Sequence, residues 1–525
     1  MSRVKLSSRA FGPAIVAAGI GLALSAGSAA EAAGKLGGTD FVEVPAEKSG
    51  LTDGIDKTVK YPWMSPPVDV NGDGHPDLMY YGHHGGGAGF WFGKGDGTFT
   101  FDRSGFAARW VWSERDPTWW DVNGDGFMDG IRTRHKDARL LVNDGTGHWR
   151  ETNIRLRGMI ADLDGDGHHS EIFTGSAALA IDPPLDRWGK TPPEKVVLKP
   201  LWEPEKLLGW PEGVPKKDQH GRAGGSYPEA FSVDLDGDDR NELIVTFRQG
   251  GFSTENVRTW ILRRGPEAKG PAAWKDSTPA TGLPTGLGHW LWPEDLDVDG
   301  DVDLIDLLTG QWHVNDGKGR FAMSPRRVFD NKTRRHGKYV NVDSEINLVD
   351  LDNDGRRDLV MAADHSPTYG AFLHLGAGRF FLTRAVPGSR RGRKFADVDH
   401  DGDLDMVVTR GLKFVLFRND TANLGLHVKV VPKAPAEAAL GCKVWVWRAG
   451  QAGRKQALLH YRQCIVGQLQ TRSNIIDTNL HVGLGKVDEV DVRVRFPSGV
   501  VRDVKGAKAK TTVTVAEAAS AVAGR

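Results

Sequence analysis

Cysteine is nearly absent from these 525 residues: Cys442 and Cys464 are the only two, both near the C-terminal end. So few sulfurs exclude a disulfide scaffold and any cysteine-built metal centre. In an oxidising compartment a Cys442–Cys464 disulfide is the leading reading, since both flank expected strands; two buried thiols are the alternative. Net charge is also absent, with 68 basic against 68 acidic residues. No apolar run is long enough to span a bilayer. The best candidate, Ala14 to Leu24, has about eleven residues where a span needs about 20. Arg3, Lys5 and Arg9 precede it and Ser28-Ala29-Ala30 follow it, so residues 1–30 read as a secretory signal and the chain as secreted or periplasmic. No cysteine follows that run to take a lipid, and no Arg-Arg pair speaks for twin-arginine export. Serine-hydrolase, zinc-protease, P-loop and dinucleotide motifs are missing. So are basic runs interleaved with aromatics, which excludes an evident nucleic-acid surface.

What the chain does have is one acidic motif written seven times. The copies start at Asp69, Asp121, Asp162, Asp234, Asp295, Asp350 and Asp397. Oxygen-bearing side chains occupy alternate positions, and a further acid usually follows four residues after the third. Such alternation in a tight turn suits a hard cation, and calcium takes six to eight oxygens in irregular geometry. Counting side chains at loop positions 1, 3, 5 and 9 and a backbone carbonyl at position 7, the first copy offers Asp69, Asn71, Asp73, His75 and Asp77. The second offers Asp121, Asn123, Asp125, Phe127 and Asp129, and the third Asp162, Asp164, Asp166 and His168, with Ser170 where the last acid belongs and Glu171 beside it. The fourth offers Asp234, Asp236, Asp238, Arg240 and Glu242, with Asp239 in place of the sixth-position glycine. The remaining three are Asp295, Asp297, Asp299, Asp301 and Asp303; Asp350, Asp352, Asp354, Arg356 and Asp358; and Asp397, Asp399, Asp401, Asp403 and Asp405. Seven loops predict up to seven calcium ions.

Magnesium fits less well because it demands near-octahedral geometry, and zinc because no Cys or His recurs at a ligand position. An EF-hand would carry a bidentate Glu at position 12 between two helices. Position 12 is instead Tyr80, Arg132, Phe173, Val245, Asp306, Met361 and Val408, and the segments LMYY, EIF, ELIV, DLVM and DMVV read as strands. Seven acidic turns that bind nothing are the plainer alternative, but so many carboxylates would repel one another without a counter-ion.

Each repeat contains more than its loop. A second element ends in a glycine-rich turn and an aromatic, as in FGKGDGTF, VNDGTGHW, VNDGKGRF and LGAGRF. Four strands per repeat, seven times, predict an all-β fold with a seven-bladed β-propeller. The last repeat would lack its outer strand, and Phe41 to Leu51 has the character to supply it. The stretch Asp182 to Arg222 reads as a surface insertion. These repeats resemble the FG-GAP/VCBS repeats of integrin-type propellers over roughly Phe41 to Asp420. The resemblance implies calcium loops on one face, between the first and second strands of each blade.

From Asn423 to Ala518 the acidic loops stop, and VKVV, VRVRF and TTVTV argue for a second, β-rich domain. Gly441 to Val446, His481 to Gly485 and Pro497-Ser498-Gly499 resemble the ASPIC/UnbV domain that follows such propellers in the cartilage acidic protein family and its bacterial relatives. That family usually has Trp where this chain has Phe496. Residues upstream of each loop should gather at a channel mouth: Trp63, Trp112, Glu229, His289, Trp290, Glu345 and Arg393. Aromatics and charges there suit a sugar, and Glu229 and Glu345 are candidate acid–base groups; alternatively the tryptophans pack between blades. Removing the signal leaves a charge of −3, and seven divalent ions would carry it to about +11, which favours anionic partners. Two functions stay open: a secreted calcium-binding module for an extracellular protein or glycan, or a polysaccharide-degrading lyase or hydrolase on the same scaffold.

Overall fold

The computed structural model is almost wholly β-strand. It describes most of residues 41–518; the description does not extend to 53–61, 83–87, 103–117, 133–138, 165–170, 185–194, 212–224, 250–256, 266–272, 284–290, 330–333, 340–345, 362–369, 384–392, 434–439, 469–478, the two ends and a few single or paired positions. The expected signal therefore lies outside the described residues.

Seven antiparallel sheets share one plan. The acidic loops join Pro62–Met64 to Leu78–Gly82, Thr118–Trp120 to Asp129–Arg132, Met159–Ala161 to Glu171–Phe173, and Gly225–Val233 to Glu242–Gln249. The last three join Leu291–Glu294 to Asp303–Asp306, Ile346–Val349 to Asp358–Met361, and Arg393–Ala396 to Asp405–Arg410. Two further strands complete each sheet. The strand after each loop reads as an apolar run rather than an alternation because both of its faces are covered: Leu304 and Ile305 are buried together, as are Met406, Val407 and Val408.

The fourth strand of the seventh sheet comes from the other end of the chain. Phe41–Glu43 pairs with Lys413–Asn419, Phe41 opposite Asn419 and Glu43 opposite Phe417. The stretch 182–222 is not wholly external to the repeats. Val197–Trp202 within it pairs with Ala178–Asp182 as the outer strand of the third sheet, and Trp202 is buried against Phe173 and Trp274.

Neighbouring sheets share apolar clusters. Val70, Phe90, Trp119 and Trp149 join the first sheet to the second. One large cluster runs from Val142 through Phe173 to Val245, across the second, third and fourth. Ile244 with Leu304, Ile305 with Leu359, and Val360 with Met406 carry the contacts onward. Trp91, Tyr80, Phe414 and Leu416 join the seventh sheet to the first, with the Trp91 and Phe414 ring centres 4.9 Å apart. Trp91, Trp119, Trp149 and Trp274 are fully buried, so these tryptophans serve packing.

The C-terminal part forms two more sheets. Leu424–Val431 lies between Asn479–Gly485, antiparallel, and Thr512–Ala516, parallel. Lys443–Arg448 lies between Leu458–Gln463 and Glu489–Arg495, with Val501–Lys508 outermost. Their core holds Val428, Val444, Val482, Val492 and Phe496, with Cys442 and Cys464 among them. Cys464 donates its N–H to the Cys442 carbonyl at 2.8 Å, which sets the two residues opposite one another just beyond the ends of adjoining strands.

Candidate metal centre

Each acidic loop is shaped by its own carboxylates. The position-1 acid accepts backbone N–H groups from the far side of the turn: Asp69 from Gly72 and Gly74, Asp350 from Asp354 and Gly355, Asp397 from Asp401 and Gly402. The position-5 acid accepts from position 7, as Asp354 does from Arg356 at 2.9 Å. The last acid ties the loop to its sheet. Asp358 accepts Leu351 N–H at 2.9 Å and His374 N–H at 2.8 Å, and Asp77, Asp129, Asp303 and Asp405 repeat both bonds. Tight turning is met by left-handed backbone at position 6, where Gly74, Gly300, Gly355 and Gly402 have φ of 90–96°. Asp239 takes that conformation without being glycine, at φ 68°.

In the third copy Glu171, one residue late, accepts Leu163 N–H at 2.9 Å and so replaces the acid missing at Ser170. The longer Glu side chain makes up the one-residue displacement. Asn123, Asp166, His168 and Ser170 lie outside the described residues.

Five loops gather three carboxylates whose oxygens lie within 4.8 Å of one another, a spacing compatible with a divalent cation. They are Asp162, Asp164 and Glu171; Asp234, Asp236 and Glu242; Asp295, Asp297 and Asp299; Asp350, Asp352 and Asp358; and Asp397, Asp399 and Asp405. Positions 1, 3 and 9 converge in the fourth, sixth and seventh copies, positions 1, 3 and 5 in the fifth, and Glu171 at position 10 joins positions 1 and 3 in the third. The first two copies form no such group among the described residues; in the first, Asn71 instead donates its amide to Asp73 at 2.9 Å.

The electrostatics favour a counter-ion. Burial, reinforced by neighbouring carboxylates, pushes Asp77 and Asp303 up to about 8. Burial and the repulsion of Asp352 and Asp354 hold Asp350 and Asp358 well above the carboxylate range. A cation would restore the charged form, because opposite charge at contact distance offsets burial. Carboxylate oxygens keep a lone pair for a metal while accepting an N–H, so the turn bonds do not exclude an ion.

The loops also contact one another and the C-terminal domain. Asn143, Asn315 and Asn419 donate their side-chain amides to the carbonyls of Val70, Leu235 and Leu351 in the preceding repeat's loop, at 2.6–2.9 Å. His75 and His400, from the first and seventh copies, bring ring nitrogens within 2.6 Å. His427 of the C-terminal domain lies 3.2 Å from Asp397; burial raises that carboxyl, but the imidazole and the Gly402 N–H outweigh it and leave it below its usual range. Gly485 donates its N–H to Asn353, and a Cβ at Gly483 would strike Asp350, so only glycine fits there.

The expected mouth residues do not assemble into a described site. Trp112, His289, Trp290 and Glu345 lie outside the described residues. Trp63 and Glu229 are placed by backbone only, in the first strands of their sheets. Arg393 is fully buried, so it forms part of the interior rather than a surface on which a ligand could land.

The FG-GAP-like repeat family model matches residues 69–131 and 350–408, and the ASPIC and UnbV family model matches 433–522. No curated protein matches the chain. Among solved structures, an Agrocybe aegerita lectin that recognises non-reducing terminal N-acetylglucosamine is similar at 18% identity and TM-score 0.39, covering 62% of this chain and 79% of the lectin. The extracellular domain of a protein described as a hybrid two component system from B. thetaiotaomicron is similar at 9% identity and TM-score 0.38, covering 91% of this chain and 60% of that one. Among the described residues, no helix is long and apolar enough to cross a membrane. The chain thus carries FG-GAP-like repeats, matched over two stretches, followed by an ASPIC and UnbV domain.

Proposed function

We propose that this protein is a calcium-binding, seven-bladed β-propeller, secreted or periplasmic, that acts as a binding or adhesion module for an extracellular protein or glycan. The observation that carries the reading is the gathering of three carboxylates in each of five successive loops, always including positions 1 and 3. Such groups repel unless a cation joins them, and an all-oxygen donor set of irregular geometry suits calcium better than magnesium or zinc. The shared clusters between consecutive sheets, including the seventh with the first, support a closed ring over residues 41–420. The exchanged strand Phe41–Glu43 supports it too. In this reading the ions stiffen one face of the ring, and the C-terminal domain over 423–518 rides on it. Loaded loops shift the net charge positive, which favours an anionic partner. Residues 1–30 are the signal, and Cys442 and Cys464 form a disulfide in the oxidising compartment.

A glycan array probed with and without calcium tests the module. Calcium-dependent retention on anionic glycans is expected. Retention unchanged by chelator would contradict a role for the loops in partner binding.

A further inference from the structure

The fourth acidic loop departs from the others by carrying Asp239 where glycine normally turns the chain. Basic groups reach other loops as well, Arg264 to Asp162, Lys455 to Asp299 and Arg418 to Asp399, but in the fourth the partner of the position-1 acid is a buried lysine of the C-terminal domain. Lys443, the first residue of Lys443–Arg448 in the C-terminal domain, places its ammonium 2.5 Å from Asp234 and 2.7 Å from Asp239. Arg495 lies 2.5 Å from the other oxygen of Asp239. Gln463 accepts the Asp234 N–H at 3.0 Å and donates to the Asp234 carbonyl at 2.7 Å.

These three residues form one row. Lys443 is paired in register with Gln463 on one side and Arg495 on the other. A single cross-strand row of the C-terminal sheet thus grips a single loop. Within the repeat itself, Arg263 reaches Asp236 at 3.6 Å and Glu242 at 3.5 Å, and Arg240 pairs with Asp238. Every acid of the fourth copy therefore has a basic partner. The strand Val466–Gln468, just after Gln463, leaves the C-terminal sheet and extends the fourth repeat's sheet by pairing with Gly225–Val233.

We infer that the fourth loop is not an ion site but the socket of the C-terminal domain, with the Lys443 ammonium seated where a divalent ion would otherwise sit. The ammonium already occupies contact distance to Asp234, and a divalent ion on the same oxygens would face a buried like charge. Both Lys443 and Asp234 are buried, so the pair is little screened. The non-glycine residue at position 6 also acquires a purpose: Asp239 supplies the second carboxylate that Lys443 and Arg495 share. This inference rests on the calcium reading for the other loops, and its test separates the two.

Metal content of the full-length protein, dialysed against calcium and counted by mass spectrometry, gives the answer through three variants. Asp236→Asn does not touch Lys443 and should leave the ion count as in the wild type, whereas Asp352→Asn in the sixth loop should lower it by one. Lys443→Met should raise it by one, as the vacated socket becomes an ordinary loop. A count lowered by one in Asp236→Asn overturns the inference, whether or not Lys443→Met folds. A wild-type protein without any bound ion would instead sink the calcium reading. The socket is then decided by melting in chelator: a lower melting temperature for Lys443→Met supports it, and an unchanged one overturns it.

Discussion

At the residue scale, the position-9 acid does most to set the loop. Asp358 is fully buried and accepts two backbone N–H groups, from Leu351 and His374. Removing it leaves both donors in the interior at about 1–3 kcal/mol each. Asp358→Ala should therefore lower unfolding free energy in urea by about 2–5 kcal/mol, while exposed Asp73→Ala should cost under about 1 kcal/mol. Equal losses would refute the assignment of Asp358 as the tie between loop and sheet. The same carboxylates predict an inverted pH response. Burial first, and neighbouring acids second, push Asp77 and Asp303 up to about 8, against 3.8 ordinarily. Between those values the metal-free folded state holds protons that the unfolded chain has released, so its stability falls as pH rises through that window. Chelated protein should melt higher near about pH 5.5 than near about pH 7.5; calcium-loaded protein should do the reverse, because its ligands bind deprotonated. A chelated melt that climbs with pH would contradict this.

At the element scale, the exchanged strand is short but well anchored. Phe41 is buried among Val360, Met406 and Phe417, and its strand covers the edge of Lys413–Asn419. Phe41→Ala should cost about 3–5 kcal/mol and expose an unpaired edge that favours aggregation. Wild-type stability and monodispersity by light scattering would show that the strand is dispensable. This strand was legible in the sequence because the last repeat ended one strand short and Phe41 to Leu51 had strand character. The outer strand of the third sheet was not: Val197–Trp202 sits in proline-rich, charged sequence and is exposed along much of its length, so it lacks the apolar pattern that marks a strand.

At the scale of the whole molecule, repetition was the strongest signal. The seven copies at Asp69 through Asp397 fixed the number of sheets and the place of each loop between first and second strands. The acids that gather in five loops are ones the motif spacing singles out, and Glu171 was visible as the neighbour of the missing acid. The contacts of the C-terminal domain were not legible. Lys443 meets Asp234 across 209 residues and Gln463 meets it across 229, and no period or motif ties such distant positions together. The channel-mouth reading drew on the same repeat logic but failed at Arg393, whose charge lies in the interior.

The central claim is that calcium in these loops stabilises the ring, and its most direct test joins elemental analysis to thermal melting of the full-length protein with and without chelator. Several calcium ions per chain are expected, with each site adding about 2.7 kcal/mol at a hundredfold excess over its dissociation constant, so chelator should lower the melting temperature and calcium, but not magnesium, should restore it. Purified protein free of alkaline-earth metal, with a melt that neither chelator nor calcium moves, would contradict it.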